Sequence, residues 1–261
     1  MMRILQLTDL HVNSDGRRAF LRADSLKDLQ QTVDYILQVD LRPDVAIVTG
    51  DVSTDGSVSA YTLVQQELAR LGCPVWVLPG NHDKKAEMKA VFADTCLTDL
   101  DEAPGLCVEM DEARLLLFDS AVENVPAGGL SEEKLDWLAE RLDVPEGRPV
   151  MLWMHHFPFR TGYVGMDHPF TGEERLLEML QGHNAYVCSG HIHAGILRRS
   201  GDVMLIASPA VSMLMELRLE KVRFFTERAG FAVHLVENGV VTTHLCSVPA
   251  PCSGGPYRFI E

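Results

Sequence analysis

Six short apolar runs, each set off from the next by segments that include helical spacing, make an α/β layered fold the expected class for this chain. The runs are RILQLT, DVAIVT, PVWVLP, RLLLFD, PVMLWM and NAYVCS. Two further observations support the class. Five of the six runs are followed, directly or after one glycine, by Asp, Asn or His, which is how open α/β sheets gather ligands at the C-terminal edge of their strands. Beyond residue 195 the helical spacing fades and the chain reads as β.

Taken in order, RILQLT leads into Asp9-Leu10-His11. Residues 25 to 38 then place Leu26, Leu29, Val33, Ile36 and Leu37 at the spacing of one buried helix face. DVAIVT is followed by Gly50-Asp51, and PVWVLP by Gly80-Asn81-His82-Asp83. RLLLFD ends on Asp119-Ser120, which reads as a turn or as support for neighbouring groups. Ser131, with Glu132 and Glu133 behind it, is the expected N-cap of a helix over 131 to 142. PVMLWM leads into His155-His156, and Thr171 with Glu174 has the form of a capping box for a helix to about Gln181. NAYVCS ends on Gly190-His191-Ile192-His193.

The β-like remainder comprises GILRRS, DVMLIA, KVRFFTE and GFAVHLVENGVVTTHLC. Asn238-Gly239 between alternating segments is a hairpin signal, since the pair supplies the positive φ angles of a type I′ turn. Met213, Leu214, Met215, Leu217 and Leu219 continue the core sheet or form a cap against a second copy, the core being the first expectation. The tail PAPCSGGPYRFIE reads as irregular. A chain of 261 residues, 46% of them hydrophobic, can bury about three quarters of its unfolded surface, so residues 1–261 are expected to form a single domain with 195–261 as its β-rich end.

The formal charge of -14 disfavours nucleic acid polymers and anionic lipid, so a bound phosphate needs a local source of positive charge. No run reaches the roughly 18 apolar residues of a membrane span, and the N-terminus does not read as a secretion signal. The six cysteines are scattered without zinc-finger or CxxC spacing, which fits a reduced, cytoplasmic setting.

Each strand-end motif has an ordinary reading by itself: Asp-x-His as a cap or surface pair, Gly-Asp as a turn, Gly-Asn-His-Asp as a loop. Gly-His-x-His is more specific, because two histidines enclosed by small residues rarely serve packing. In Asp-x-His and His-x-His the side chains flank one residue, so a bend can turn both toward one point while the glycines let the backbone come close. Asp9, His11, Asp51, Asn81, His155, His191 and His193 supply mixed oxygen and nitrogen ligands that suit transition metals or zinc. Seven donors exceed one tetrahedral ion and match two ions sharing a carboxylate.

The order DLH, GD, GNHD, HH, GHIH resembles that of the calcineurin-like metallophosphoesterases, and within them the class III cyclic nucleotide phosphodiesterases and glycerophosphodiesterases. The resemblance implies a four-layer αββα sandwich and two divalent ions per chain, drawn from Mn, Fe, Zn and Co. It implies that Asp9, His11 and His193 hold one ion, that Asn81, His155 and His191 hold the other, and that Asp51 bridges them. A hydroxide between the ions would attack a small phosphodiester such as a 3′,5′-cyclic nucleotide or a glycerophosphodiester, and His82 would serve the leaving alkoxide. Asp83 either orients that ring or ties the loop. His156 and His168 are candidate substrate contacts, whereas His183, His234 and His244 read as structural or surface residues. Phe157 stands where the family's HHPP run has its first proline, which bears on the pocket wall. A phosphomonoesterase or nucleotide hydrolase is the alternative within this chemistry. A non-catalytic scaffold would lack ligands that are all present here. The glycerophosphodiesterase likeness also implies a homo-oligomer.

Overall fold

The computed structural model describes residues 1–15, 24–98, 103–145, 147–163, 165–216, 223–225 and 229–249. In chain order the elements are β1 (Met2–Leu7), α1 (Ser25–Gln38), β2 (Val45–Thr49), α2 (Val58–Ala69), β3 (Val75–Leu78) and α3 (Lys85–Phe92). Then come β4 (Leu106–Glu109), β5 (Arg114–Leu117), β6 (Ala121–Val122), β7 (Val125–Gly129), α4 (Glu132–Ala139) and β8 (Val150–Trp153). They are followed by β9 (Phe170–Thr171), α5 (Glu173–Leu180), β10 (Ala185–Ser189), β11 (Ile196–Ser200) and β12 (Val203–Ala207). Last are β13 (Leu214–Glu216), β14 (Arg223–Phe225), β15 (Gly230–Glu237) and β16 (Val240–Ser247).

One five-stranded sheet runs β16-β15-β1-β2-β3 and one six-stranded sheet runs β11-β12-β10-β8-β5-β4. β1, β2 and β3 are parallel, as are β12, β10, β8 and β5. The apolar residues sort into three layers. Leu29, Val33 and Ile36 of α1 and Tyr61 and Val64 of α2 pack on Leu5, Ala46, Val48 and Val77 of the first sheet. Leu135 and Leu138 of α4 and Leu176 and Leu180 of α5 pack on Leu116, Leu152 and Val187 of the second. Between the sheets lie Ile4, Ile47, Leu78, Leu115, Leu117, Trp153 and Cys188. This is the expected four-layer αββα sandwich, and strands buried on both faces explain why their sequences are nearly continuous apolar runs.

A polar seam crosses the central layer. The Gln6 amide donates to Thr49 Oγ1 and to the Ser189 carbonyl, each at 3.0 Å, and its oxygen faces His234 Nε2 at 3.1 Å. His234 Nδ1 meets Thr243 Oγ1 at 2.9 Å, so the buried ring is satisfied on both sides. The seam joins β1, β2 and β15 to the end of β10, directly before Gly190.

Several local expectations hold. Ser131 Oγ accepts the Lys134 amide as N-cap of α4, and Asn238 and Gly239 take φ of 51° and 80° between β15 and β16. Others are corrected. Leu37 is 45% exposed, being a step of about 100° from Ile36 and off the buried stripe. Thr171 caps nothing: it pairs with Gly129 across β7 and β9, and Gly172, at φ 85°, takes the N-cap place of α5. Leu214 and Met215 pair with β14 in a two-stranded sheet rather than with either large one, although Met213 and Met215 are buried in the core as expected. The readings for Leu217 and Leu219 and for residues 250–261 of the tail fall outside the described residues. The five described cysteines are all free. Among the described residues no helix is long and apolar enough to cross a membrane.

Candidate metal centre

β1, β2 and β3 of one sheet and β8 and β10 of the other deliver their terminal residues to one place. Asp9, His11, Asp51 and His193 are all buried, and one ligand atom of each lies within 4.8 Å of the others. His155, His156 and His191 form a second buried group by the same measure. Asp51 Oδ2 joins the two, lying 3.6 Å from His11 Nε2 and 3.5 Å from His155 Nε2.

The backbone is bent hard to achieve this. Asp9, His11, Asp51, His191 and His193 have φ of 53°, 48°, 50°, 69° and 53°, a left-handed region that costs a residue with a Cβ on the order of 1 kcal/mol or more. Strain of this kind at five ligand candidates is the local expression of the bends that Asp-x-His and His-x-His require. Glycines clear the space: a Cβ on Gly50 would sit 2.5 Å from His155 Nδ1, and one on Gly80 or Gly190 would strike Asp51 or Thr8.

The far side of most rings is held, which sets the nitrogen that faces inward. His155 Nδ1 meets the Thr49 carbonyl at 2.7 Å, His193 Nδ1 the Met213 carbonyl at 3.0 Å and His11 Nδ1 the Thr54 hydroxyl at 3.3 Å. Asp9 Oδ2 accepts the Thr8 hydroxyl and the His191 amide, while Oδ1 faces His193 Nε2 at 3.3 Å.

Two kinds of observation test whether these residues fit cations. Asp9 Oδ1, Asn81 Oδ1, His156 Nε2 and His191 Nε2 are buried without a hydrogen-bond partner, a cost that native proteins rarely leave unexplained. Two pairs of imidazole nitrogens also face each other: His11 Nε2 and His193 Nε2 at 3.2 Å, and His155 Nε2 and His191 Nδ1 at 3.3 Å. Donors about 2.0–2.1 Å from a shared tetrahedral ion are separated by roughly this distance.

The electrostatics agree. Burial pushes His11, His155, His156 and His191 below the ordinary imidazole range and His193 down to about 4, so these rings are neutral at neutral pH, as a ligand must be. Burial, then the charge of Asp51, raises Asp9 well above the carboxylate range. Burial also opposes ionisation of Asp51, but the charge that His155, His11 and His82 carry when protonated, with the His82 amide, outweighs it and holds this carboxyl low. Two carboxylates in a dry site pulled apart in this way call for positive charge between them. The residues therefore fit two cations.

Asn81, His82 and His168 share a cavity of about 140 Å³ with His11, Asp51, Pro126, Met166, His191 and His193. The His82 amide donates to Asp51 Oδ1 at 3.0 Å, and its ring meets His11 edge-on at 5.2 Å. Asp83 does not serve that ring: its oxygens accept the amides of Val52, Ser53 and Gly80 and the Tyr61 hydroxyl, tying the loop after β2 to the loop after β3. Phe157 is buried against Phe159, with ring centroids 4.2 Å apart.

Some supports escaped sequence reasoning. The Asn81 carbonyl accepts the Asn124 amide at 2.8 Å, and the Lys85 ammonium is buried against Asp119 at 2.8 Å, so the hairpin β6–β7 is fastened to the Asn81 loop. Ser120 Oγ meets His156 Nδ1 at 3.1 Å. The strand-end position of Asp119-Ser120 was the one signal of this. Thr54 and Met213 carried none.

A sequence model described as calcineurin-like phosphoesterase matches residues 2–195. The chain is 31% identical to a probable glycerophosphodiester phosphodiesterase, GpdQ, of Arcobacter nitrofigilis, over 99% of this chain and 97% of that protein. It is 30% identical to the 3′,5′-cyclic adenosine monophosphate phosphodiesterase CpdA of Escherichia coli, over 94% of this chain and 89% of that one. Among solved structures, a dimetal phosphatase from Danio rerio superposes with a TM-score of 0.69 at 16% identity, over 91% of this chain and 93% of that one, a likeness of fold. By a match over residues 2–195 and by likeness to relatives along nearly its whole length, this chain belongs to the calcineurin-like phosphoesterase family.

Proposed function

We propose that this protein is a dinuclear metal-dependent phosphodiesterase of small diesters, with 3′,5′-cyclic nucleotides and glycerophosphodiesters as the substrate class. The observation that carries the reading is the placement of Asp51 Oδ2 about equally far from His11 Nε2 and His155 Nε2, 3.6 and 3.5 Å. Asp9, His11 and His193 would hold one divalent ion, Asn81, His155 and His191 the other, and Asp51 both. Such a pair of ions, from among Mn, Fe, Zn and Co, supplies an activated water and a clamp on the phosphoryl oxygens.

The chain's own residues set what enters. Among the described residues, the 140 Å³ cavity is lined by imidazoles, Asp51, Asn81, Pro126 and Met166, with neither Lys nor Arg. Beyond the two ions, no described side chain there carries a fixed positive charge to meet the second charge of a monoester, which favours the singly charged diester. His82, at the cavity wall and held by its own amide to Asp51, is placed to give a proton to the departing alkoxide from its ring. His168 borders the same cavity as a contact for the ester arm.

The test is hydrolysis by Mn²⁺- and Zn²⁺-loaded protein of cyclic AMP, cyclic GMP, glycerophosphodiesters, bis-p-nitrophenyl phosphate and p-nitrophenyl phosphate. Diesters are expected to exceed the monoester in kcat/KM by about tenfold or more, a discrimination of roughly 1.4 kcal/mol. Preference for the monoester would support the phosphomonoesterase alternative, and full activity after chelation would overturn the metal dependence.

A further inference from the structure

The second of two adjacent histidines, His156, is held as ligands are held. Its amide donates to Ser120 Oγ and its Nδ1 meets the same oxygen, both at 3.1 Å, so one side chain fixes the ring at two points. Gly128 of β7 lies against the ring so closely that any Cβ there would collide with it. The ring stands 4.8 Å from that of His155 and 4.7 Å from that of His191, between centroids. With Nδ1 committed to Ser120, Nε2 is the remaining donor, and it is buried without a hydrogen-bond partner. One nitrogen from each of the three rings lies within 4.8 Å of the others.

A ring kept only for packing has no need of a hydroxyl on one nitrogen and leaves no reason for the other to be stranded. A metal ligand needs both: a partner that fixes tautomer and orientation, and a lone pair directed away from it. We propose that His156 Nε2 is a third imidazole donor to the cation held by His155 and His191, beside the Asn81 amide oxygen. This rests on the dinuclear reading and extends it. Three imidazoles shift that position toward zinc, cobalt and iron and away from magnesium, which prefers an all-oxygen shell.

The experiment uses the whole chain, stripped of metal and titrated with Co²⁺, whose visible absorption reports ligand type and geometry independently of turnover. His156→Phe keeps a ring and removes the nitrogens; Ser120→Ala keeps the nitrogens and frees the ring. The parent is expected to take two Co²⁺ per chain. His156→Phe should bind one of them about 10- to 100-fold more weakly, with an altered visible band, while the other is unchanged. Ser120→Ala should weaken the same ion by a smaller factor. Two Co²⁺ bound by His156→Phe with parental affinities and an unaltered spectrum would overturn the proposal while leaving the dinuclear reading intact. If that variant does not fold by circular dichroism, parental affinity and spectrum in Ser120→Ala overturn it instead. A parent that takes fewer than two Co²⁺ would remove the dinuclear reading and this ligand with it.

Discussion

On the Asp9 side of the centre both imidazoles are held at their outer nitrogen, His11 by Thr54 and His193 by the Met213 carbonyl, and Asp9 Oδ2 takes two hydrogen bonds. On the Asn81 side, His155 is held by the Thr49 carbonyl, but His191 Nε2 and Asn81 Oδ1 have no partner. That side also lies beside the β6–β7 hairpin with Pro126 and the loop with Met166 and His168, whose ring stands 6.1 Å from that of His191. Two imidazoles with a carboxylate thus make one position organised before a cation arrives, and two imidazoles with an amide make one whose candidate donors are partly undirected. Organisation in advance costs nothing at binding, so the Asp9 side is expected to bind the tighter ion and the Asn81 side the exchangeable one.

The comparison breaks most severely at the residue the two sides share. Asp51→Asn should lower ion occupancy on both sides, seen by elemental analysis, and reduce kcat on a diester by about 10³-fold or more. Two ions retained per chain would remove the bridge. Next in size, His82→Ala should keep both ions and lose about 10²- to 10³-fold on alkyl esters, with little loss on p-nitrophenyl esters whose leaving group needs no proton. Equal loss on both would assign His82 to binding.

Smaller effects sharpen the difference between the sides. Lys85→Met takes away the buried ammonium beside Asp119, whose carboxyl burial already raises against the pull of that lysine, and should destabilise the fold by roughly 3–5 kcal/mol in a denaturant melt. Because this pair fastens the hairpin to the Asn81 loop, the variant should also bind the exchangeable ion less well and leave the tight one alone.

The smallest effect concerns pH. Burial holds His193 at about 4 and His234 at about 3 against an ordinary value of 6.5. Below pH 6.5 the unfolded chain takes up protons that these buried rings refuse. Their contribution to stability is therefore complete above 6.5 and is lost as pH falls toward 4 and 3, on the order of a few kcal/mol each in the metal-free protein. His234→Gln should flatten that acid limb in thermal melts taken across pH 3 to 7, and an unchanged limb would remove His234 from it.

The difference between the two sides also marks how far the sequence could be read. Asp9, His11, Asp51, Asn81, His155, His191 and His193 were legible because each motif lies within a few residues of a strand end, where short-range pattern is enough. The supports were not. Thr54 and Ser120 reach their targets from the loops after neighbouring strands, Met213 from a distant loop and Lys85 from the side of the other sheet, and no local spacing reports such contacts. His156 was read as a substrate contact, and its place beside His191 emerges only when β8 and β10 pair. Thr171 and Glu174 fit a helix cap by spacing alone; pairing with β7 prevailed. That Met213 and Met215 are buried was legible, but the pairing of Leu214 and Met215 with β14 was not, because apolar content does not reveal which strand will be the neighbour.

Titration of the metal-free chain with Mn²⁺, followed by electron paramagnetic resonance, tests the shared carboxylate and the inequality of the two sides together. The account predicts that one Mn²⁺ binds first and that a second, weaker one converts its signal to that of a spin-coupled pair. A single ion at saturation, or two ions of equal affinity whose spectra remain those of isolated Mn²⁺, would contradict it.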